Sequence, residues 1–203
     1  MTLITWSNKV VNSSSALAPY DPLTAEQINS LKEAINNLDN NGTKQGFIDY
    51  NNSSTDVTLI NLIADQWVDV PNNGLGAYSN DLYKPVDVTE LLDTSTGYID
   101  ATELSLGDSL LIRNDYTVYP QIDKSSLSFR YVLGSGFGEY SQEKKIPRLD
   151  EGAGVGYRQA ILTDYIYMGD DNTRNNPIKL QVKLSVNGTL YNAGLSIQVI
   201  KRW

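Results

Sequence analysis

The chemistry open to this chain is limited by two side chains that it lacks, because its 203 residues include no histidine and no cysteine. These absences exclude a Ser-His-Asp triad, a thiol nucleophile, a disulfide, and a zinc or haem site built on His or Cys. The remaining enzymatic routes use carboxylates, Lys, Tyr, Ser or Thr, or a Ca²⁺ or Mg²⁺ ion bound by oxygen atoms. No spacing singles out a pair of carboxylates, so we expect a protein that is not an enzyme, with no catalytic residue and no cofactor.

Two stretches rich in Asp and Asn contain the residue types that bind hard cations. Residues 37–42 begin like an EF-hand loop, but the twelfth position of that loop is Ile48 instead of the bidentate Glu. Farther along the chain, Asp164, Asp170 and Asp171 could offer oxygen ligands to Ca²⁺. Asp and Asn also favour turns, because their side chains bond to nearby backbone. The turn interpretation is favoured at both places and no metal ligand is assigned, while Ca²⁺ binding at the second stretch stays open.

The glycine-rich runs 134–138 and 152–156 contain GxG elements that could suggest a phosphate cradle. Neither run is followed by Lys-Ser or Lys-Thr, and neither leads into a helical pattern. We therefore interpret both runs as connections between strands.

Tyrosine is unusually frequent, with thirteen Tyr against three Phe. Tyr side chains provide a large contact area at low entropic cost, and they suit both saccharide stacking and protein interfaces. Half-buried positions in a β-sandwich would explain most of them equally well. Six lie in or beside predicted turns and strand ends: Tyr78, Tyr83, Tyr98, Tyr116, Tyr119 and Tyr140.

The charge balance disfavours nucleic acid as a partner, because 16 basic and 24 acidic residues give a net charge of −8. The first residues lack the basic region and apolar run of a signal peptide, and no stretch approaches 18 consecutive apolar residues. We therefore expect neither nucleic-acid binding nor insertion into a membrane.

Residues 1–21 have no periodicity, and we interpret them as an N-terminal arm. They contain a small apolar cluster of Leu3, Ile4 and Trp6, followed by a Ser-rich and Pro-containing stretch. A solvated terminus has no use for three large apolar groups, although such a terminus is the alternative interpretation. The cluster is therefore our candidate for an attachment site on a partner.

A single convincing helix is predicted within residues 22–42. Thr24 is suited to the N-cap and Gln27 completes a capping box, while Asn41-Gly42 supplies the stop. The apolar positions of this helix are spaced 3, 4, 3 and consist of Ile28, Leu31, Ile35 and Leu38. So narrow a seam favours a short coiled coil between copies over a helix packed on its own domain, which is the alternative.

From Phe47 to Trp203 the period changes to two, which is typical of β-strands, and we assign residues 43–203 to a β-domain. The clearest alternation covers 110–118, 127–133, 178–186 and 195–199, and weaker candidates are 57–63, 67–70, 98–104, 140–146 and 157–168. Turn-forming clusters separate these segments, and no helical pattern intervenes. The sequence therefore predicts a mainly β protein: a jelly-roll-like antiparallel β-sandwich, preceded by an extended arm and one short helix.

Several of these segments resemble virion structural proteins of tailed bacteriophages. The similar segments are 66–76, 88–97, 104–115, 166–174 and 192–200. The resemblance covers roughly residues 55–203 and includes no catalytic signature, so it transfers no functional residue. It implies a trimeric jelly roll, similar to the tumour-necrosis-factor or C1q type, whose N-terminal region attaches to the particle.

Together these observations predict a homotrimeric capsid decoration, head fibre or short spike, located on the capsid surface or tail of a virion. In this interpretation Ile28, Leu31, Ile35 and Leu38 form the trimerisation seam, and Leu3, Ile4 and Trp6 attach the arm to a capsid or tail protein. The alternative is a module for host attachment that binds surface glycans through tyrosine-rich loops. A third interpretation is a carboxylate-dependent hydrolase of surface polysaccharide.

Overall fold

The computed structural model describes residues 25–40, 45–51, 59–73, 80–150 and 152–202, and it describes Ala25, 35–40 and 158–164 by their backbone alone. The helices are α1 (Ala25–Asn40) and α2 (Asp171–Asn175). The strands are β1 (Gln45–Asp49), β2 (Leu59–Leu62), β3 (Val68–Asp69), β4 (Leu92–Asp93), β5 (Tyr98–Ile99), β6 (Ser109–Pro120), β7 (Leu127–Leu133), β8 (Tyr140–Ile146), β9 (Tyr157–Tyr167), β10 (Lys179–Leu184) and β11 (Gly188–Ile200).

Helix α1 lies where the 3, 4, 3 spacing predicts it, and it belongs to a compact unit separate from the β-domain. Ile28 is half-buried and Leu31 is 49% exposed, while the side chains of Ile35 and Leu38 lie outside the described part of the chain. The predicted capping residues and the whole arm 1–21, with Leu3, Ile4 and Trp6, lie outside it as well. The seam, the arm and the boundaries 1–21, 22–42 and 43–203 therefore stay predictions.

The β-domain contains two main antiparallel sheets with a nested strand order and a two-stranded sheet of β4 and β5. The larger sheet runs β1-β11-β6-β9, with β2 also paired to β11, and the smaller sheet runs β3-β10-β7-β8. Of the eight principal strands, the first pairs with the last, the second with the seventh, the third with the sixth and the fourth with the fifth. This nesting is the strand order of a jelly roll. The predicted jelly-roll-like sandwich is confirmed.

The core lies between the two sheets and follows from the period of two along each strand. On β6, Leu110 and Ile112 are fully buried, and on β10 the same is true of Val182 and Leu184. Alternate residues of these strands point away from the core, so each sheet also presents an outer face. Burial of the inward residues is the main favourable contribution to folding.

The strand and helix content differs from the prediction in four places, one of which is the unpredicted two-residue strand β4. Strand β1 was not predicted, because its five residues include a glycine and show only a weak alternation; its pairing with β11 places it in the sheet. The predicted strand 98–104 is a strand only at Tyr98–Ile99, since 102–103 and 106–107 form turns. A short helix, α2, follows β9 where only a turn was expected.

Candidate interaction surfaces

The larger sheet presents an outer face that we call the five-strand face. Its outward residues include Gln45, Phe47, Asp49, Leu59, Asn61, Leu111, Arg113, Asp115, Thr117, Tyr119, Tyr165, Tyr167, Thr189, Tyr191, Ser196, Gln198 and Ile200. Two large aromatic groups stand at its opposite edges, because the register aligns Phe47 of β1 with Gln198, Gln198 with Leu111, and Leu111 with Tyr165 of β9. The four residues form one row across the sheet.

The aromatic side chains of the five-strand face are exposed in the single chain. Tyr165 and Tyr167 are 53% and 50% exposed, and their rings stack nearly parallel with centroids 6.4 Å apart. Phe47 is 37% exposed and stacks on Tyr83 at 5.3 Å. Exposed aromatic side chains gathered on one sheet are typical of a surface that contacts a partner.

A depression of about 480 Å³ lies on this face beside β1. Its lining residues are Gln45, Gly46, Phe47, Leu111, Arg113, Ser196 and Gln198. The single charged side chain among them, Arg113, is paired with Asp115 at 3.0 Å. The depression therefore combines an apolar wall with amide groups and a neutralised cation, which is a composition that suits a protein contact.

The smaller sheet presents the opposite outer face, which we call the four-strand face. Its outward residues are Trp67, Asp69, Ser128, Arg130, Ser141, Glu143, Lys145, Lys179, Gln181 and Lys183. Four of these are cations and two are anions. The face is therefore locally basic although the chain as a whole carries a net charge of −8.

Trp67 and Tyr98 contact three of the cations on the four-strand face. The guanidinium carbon of Arg130 lies 4.3 Å from the Trp67 ring centroid, and Lys183 Nζ lies 4.6 Å from it. Lys179 Nζ lies 5.1 Å from the centroid of the Tyr98 ring. These are cation–π distances, at which the negative face of the ring attracts the cation.

A chain of hydrogen bonds connects these groups across four strands, from β7 through β10 and β3 to β5. Arg130 Nε donates to Gln181 Oε1 at 2.8 Å, and Gln181 Nε2 donates to Asp69 Oδ1 at 2.7 Å. The Tyr98 hydroxyl donates to Asp69 Oδ2 at 2.8 Å. Partial burial and the neighbouring Asp69 carboxylate raise the pKa of Tyr98 above its usual value, so that hydroxyl keeps its proton and the bond.

The Asp- and Asn-rich stretch after β9 is engaged in local bonds. Asp170 caps α2 by accepting from the Thr173 backbone N–H at 2.7 Å, and Asp171 pairs with Arg174 at 2.9 Å. Asn172 accepts from the Ser135 N–H at 3.2 Å and so braces the glycine-rich β7–β8 loop. Among the residues that the structure describes, no three carboxylates gather into a set that could hold a metal ion. The turn interpretation accounts for these side chains.

The six tyrosines singled out in the sequence do not form one cluster of loops. Tyr116 is buried in the core and Tyr98 is held in the network beside Asp69, while Tyr119 belongs to the five-strand face. Tyr83 and Tyr140 are exposed, and Tyr78 lies outside the described residues. Sequence reasoning missed both faces as surfaces; the alternation of Lys179, Gln181 and Lys183 with buried residues was the available signal for the basic one.

The chain is similar to several solved protein chains. A scan against models of known protein families and a search of curated proteins both found no match. Among solved structures, one similar chain is that in the crystal structure of the infectious bursal disease virus VP2 subviral particle. The two chains are 13% identical, and the match covers 79% of this chain and 34% of that chain with a TM-score of 0.32. This chain therefore spans about a third of that chain's length.

Proposed function

We propose that this protein is a non-enzymatic structural component of a virion, a homotrimer that decorates a capsid or tail as a short fibre or spike. The β-domain projects from the particle, and residues 1–21 attach it to a shell protein. The observation that carries this proposal is the five-strand face, on which stacked aromatic rings are partly exposed in the single chain.

Burial of the five-strand face against two other copies would remove those rings from water. Full burial of a large apolar side chain contributes about 1.5–3 kcal/mol, so burial of the half-exposed groups on this face would favour association against its entropic cost. Tyr and Phe are enriched at the buried centres of protein interfaces, whereas charged residues are depleted there. The four-strand face, with its cations, would then point outward. We propose three copies in the assembly because the sequence resembles trimeric phage proteins.

The helix seam and the arm add to this assembly. Ile28 and Leu31 occupy the narrow seam of α1, and Leu31 is half-exposed in the single chain. Three arms on one trimer raise the overall affinity through effective concentration, so each apolar cluster of Leu3, Ile4 and Trp6 can bind the shell weakly.

Deletion of residues 1–21 tests the proposal directly. We expect the shortened protein to retain its trimeric mass and its unfolding midpoint, because the arm precedes both α1 and the β-domain. We also expect it to be absent from purified particles, measured by mass spectrometry of particles assembled with the deletion variant. Incorporation at the wild-type level would contradict attachment through the arm. A full-length variant with Trp6→Ala and Ile4→Ala serves as the matched test of the apolar cluster.

A further inference from the structure

The four-strand face carries cations that lack acidic partners. Among the residues that the structure describes, no carboxylate oxygen lies within 4.0 Å of the charged nitrogens of Arg130, Lys179 or Lys183. Five other cations of the β-domain form ion pairs, whereas Lys124, Lys145 and Arg202 form none with the described residues: Lys84 pairs with Asp81, Arg113 with Asp115, Arg148 with Asp150, Arg174 with Asp171, and Lys201 with Asp87. In a chain with more acidic than basic residues, three unneutralised cations on one face require an explanation.

The same cations are held in fixed positions. Arg130 uses its Nε–H for the bond to Gln181, and the four N–H groups on its two terminal nitrogens have no acceptor among the described residues. A guanidinium presents these groups in a fork that matches the two oxygens of a carboxylate. The ring of Trp67 contacts both Arg130 and Lys183, which limits the freedom of each before any ligand binds.

The four-strand face carries two acidic groups: Glu143 lies opposite Arg130 on β8 but has no carboxylate oxygen within 4.0 Å of the charged nitrogens of these cations, and Asp69 is already engaged. Both oxygens of Asp69 accept hydrogen bonds, one from Gln181 and one from Tyr98. Asp69 therefore orients the network and leaves the charge of Arg130 available. The positive charge of the face is thus directed outward, toward an anionic ligand.

The shape and residue types of the face indicate what that ligand is. Lys179 and Lys183 are four residues apart on β10, which places their Cα atoms about 13 Å apart, a longer span than one sugar ring. Aromatic rings beside hydrogen-bonding groups suit saccharide rings, and the cations suit the carboxylates that acidic sugars carry. We propose that the four-strand face binds an acidic polysaccharide, with Arg130, Lys179 and Lys183 contacting its carboxylates and Trp67 contacting its rings.

Binding can be measured with the full-length protein and polygalacturonate as the probe. Tryptophan emission, recorded in a Trp6→Phe, Trp203→Phe variant so that Trp67 is the remaining tryptophan, reports contact at Trp67, and affinity electrophoresis of the full-length protein reports the dissociation constant. Neutral dextran tests the need for charge, and poly-glutamate tests whether an acidic peptide serves as well. We expect binding to polygalacturonate that weakens as salt rises, no binding to dextran, and at least tenfold weaker binding to poly-glutamate.

Variants locate the site on the face. Arg130→Gln and Lys183→Gln should each weaken binding about tenfold, because each removes a charge-assisted hydrogen bond. The control is Arg148→Gln, which removes one positive charge from an exposed ion pair outside the face and should leave binding unchanged. Native mass and unfolding midpoint are recorded for every variant, and a further change, Lys179→Gln, is used if Arg130→Gln fails to fold.

Three results would overturn the proposal. One is the absence of binding to polygalacturonate at low salt. Another is equal binding to poly-glutamate, which would make an acidic protein surface the partner. The last is an equal loss of affinity in Arg148→Gln and in Lys183→Gln, which would mean that only the overall charge matters. None of these results depends on the virion role, because the proposal rests on the face alone.

Discussion

At the scale of single residues, side chains that looked available for metal chemistry are used to shape loops. The carboxylate of Asp170 accepts the Thr173 backbone N–H and starts α2, and this hydrogen bond lowers the pKa of Asp170 below 3.8. Asn172, in the first turn of α2, then reaches back to Ser135 in the β7–β8 loop. One acidic cap therefore helps to position a loop far away in sequence.

Removal of that cap should destabilise the β-domain in a pH-dependent manner. Asp170→Ala should lower the thermal unfolding midpoint at pH 7, whereas Asp170→Asn keeps an oxygen acceptor and should change it less. Because the folded-state pKa is lowered, the charged cap stabilises the fold above the unfolded-state pKa of 3.8, and this contribution disappears as the pH falls through the folded-state pKa. The midpoints of wild type and Asp170→Ala should therefore converge in acid. A difference between the two unfolding midpoints that is as large at about pH 2 as at pH 7 would contradict this account.

The residue scale also shows where sequence reasoning stops. The type of Asp170 and its place before a short polar run predicted a turn, and the cap extends that turn into α2. The pairing of Trp67 with Arg130 could not be predicted, because the two residues are far apart in sequence and meet only through the order β3-β10-β7. Periodicity assigns a side chain to a face, but it does not identify its neighbours on other strands.

At the scale of elements, strand β11 organises the larger sheet. It pairs with β1, β2 and β6, and its register shifts between Asn192 and Gly194. Gly194 has a φ of +124°, and a Cβ there would lie 2.7 Å from Asn51 Cα and 2.9 Å from the Tyr50 carbonyl oxygen. The bulge therefore lets the segment after β1 approach the strand closely.

Substitution of this glycine should be far more costly than substitution of an open one. Gly194→Ala should lower the free energy of unfolding by about 2–4 kcal/mol, because both the backbone conformation and the close contact with Asn51 oppose a methyl group. Gly154→Ala is the matched control, because Gly154 has a φ of +72° but a Cβ there would meet nothing within 4 Å. We expect this variant to lower the free energy of unfolding by about 1–2 kcal/mol. Denaturant unfolding gives both values. If the two variants lost similar amounts of unfolding free energy, the close contact between Gly194 and Asn51 would contribute little to the cost of the substitution.

The four segments with the clearest alternation in the sequence correspond to four strands of the sandwich. Strands β6, β7, β10 and β11 all lie within two or so residues of the predicted ranges or extend them, because each has one buried and one outer face. Strand β1 was missed, and β5 is far shorter than its apolar run suggested. Short edge strands are defined by the partner that they pair with, and their own sequence carries little periodic signal.

At the scale of the whole molecule, the two outer faces differ in kind. The five-strand face exposes aromatic rings and holds its single lining cation in an ion pair, whereas the four-strand face exposes cations without acidic partners. This difference is compatible with an assembly in which the first face lies between copies and the second points outward. The fold class followed from the period of the strands, but the strand order that separates the faces depends on pairings that no local pattern encodes.

The most direct test of the central claim is the native mass of the full-length protein, measured by light scattering. The account predicts three times 22.5 kDa for the wild type. It also predicts dissociation of Tyr165→Glu, which places a charge on the five-strand face, and an intact trimer for Tyr140→Glu, an exposed tyrosine of the smaller sheet. A wild-type mass of 22.5 kDa at every concentration tested would contradict the account. So would equal dissociation of both variants.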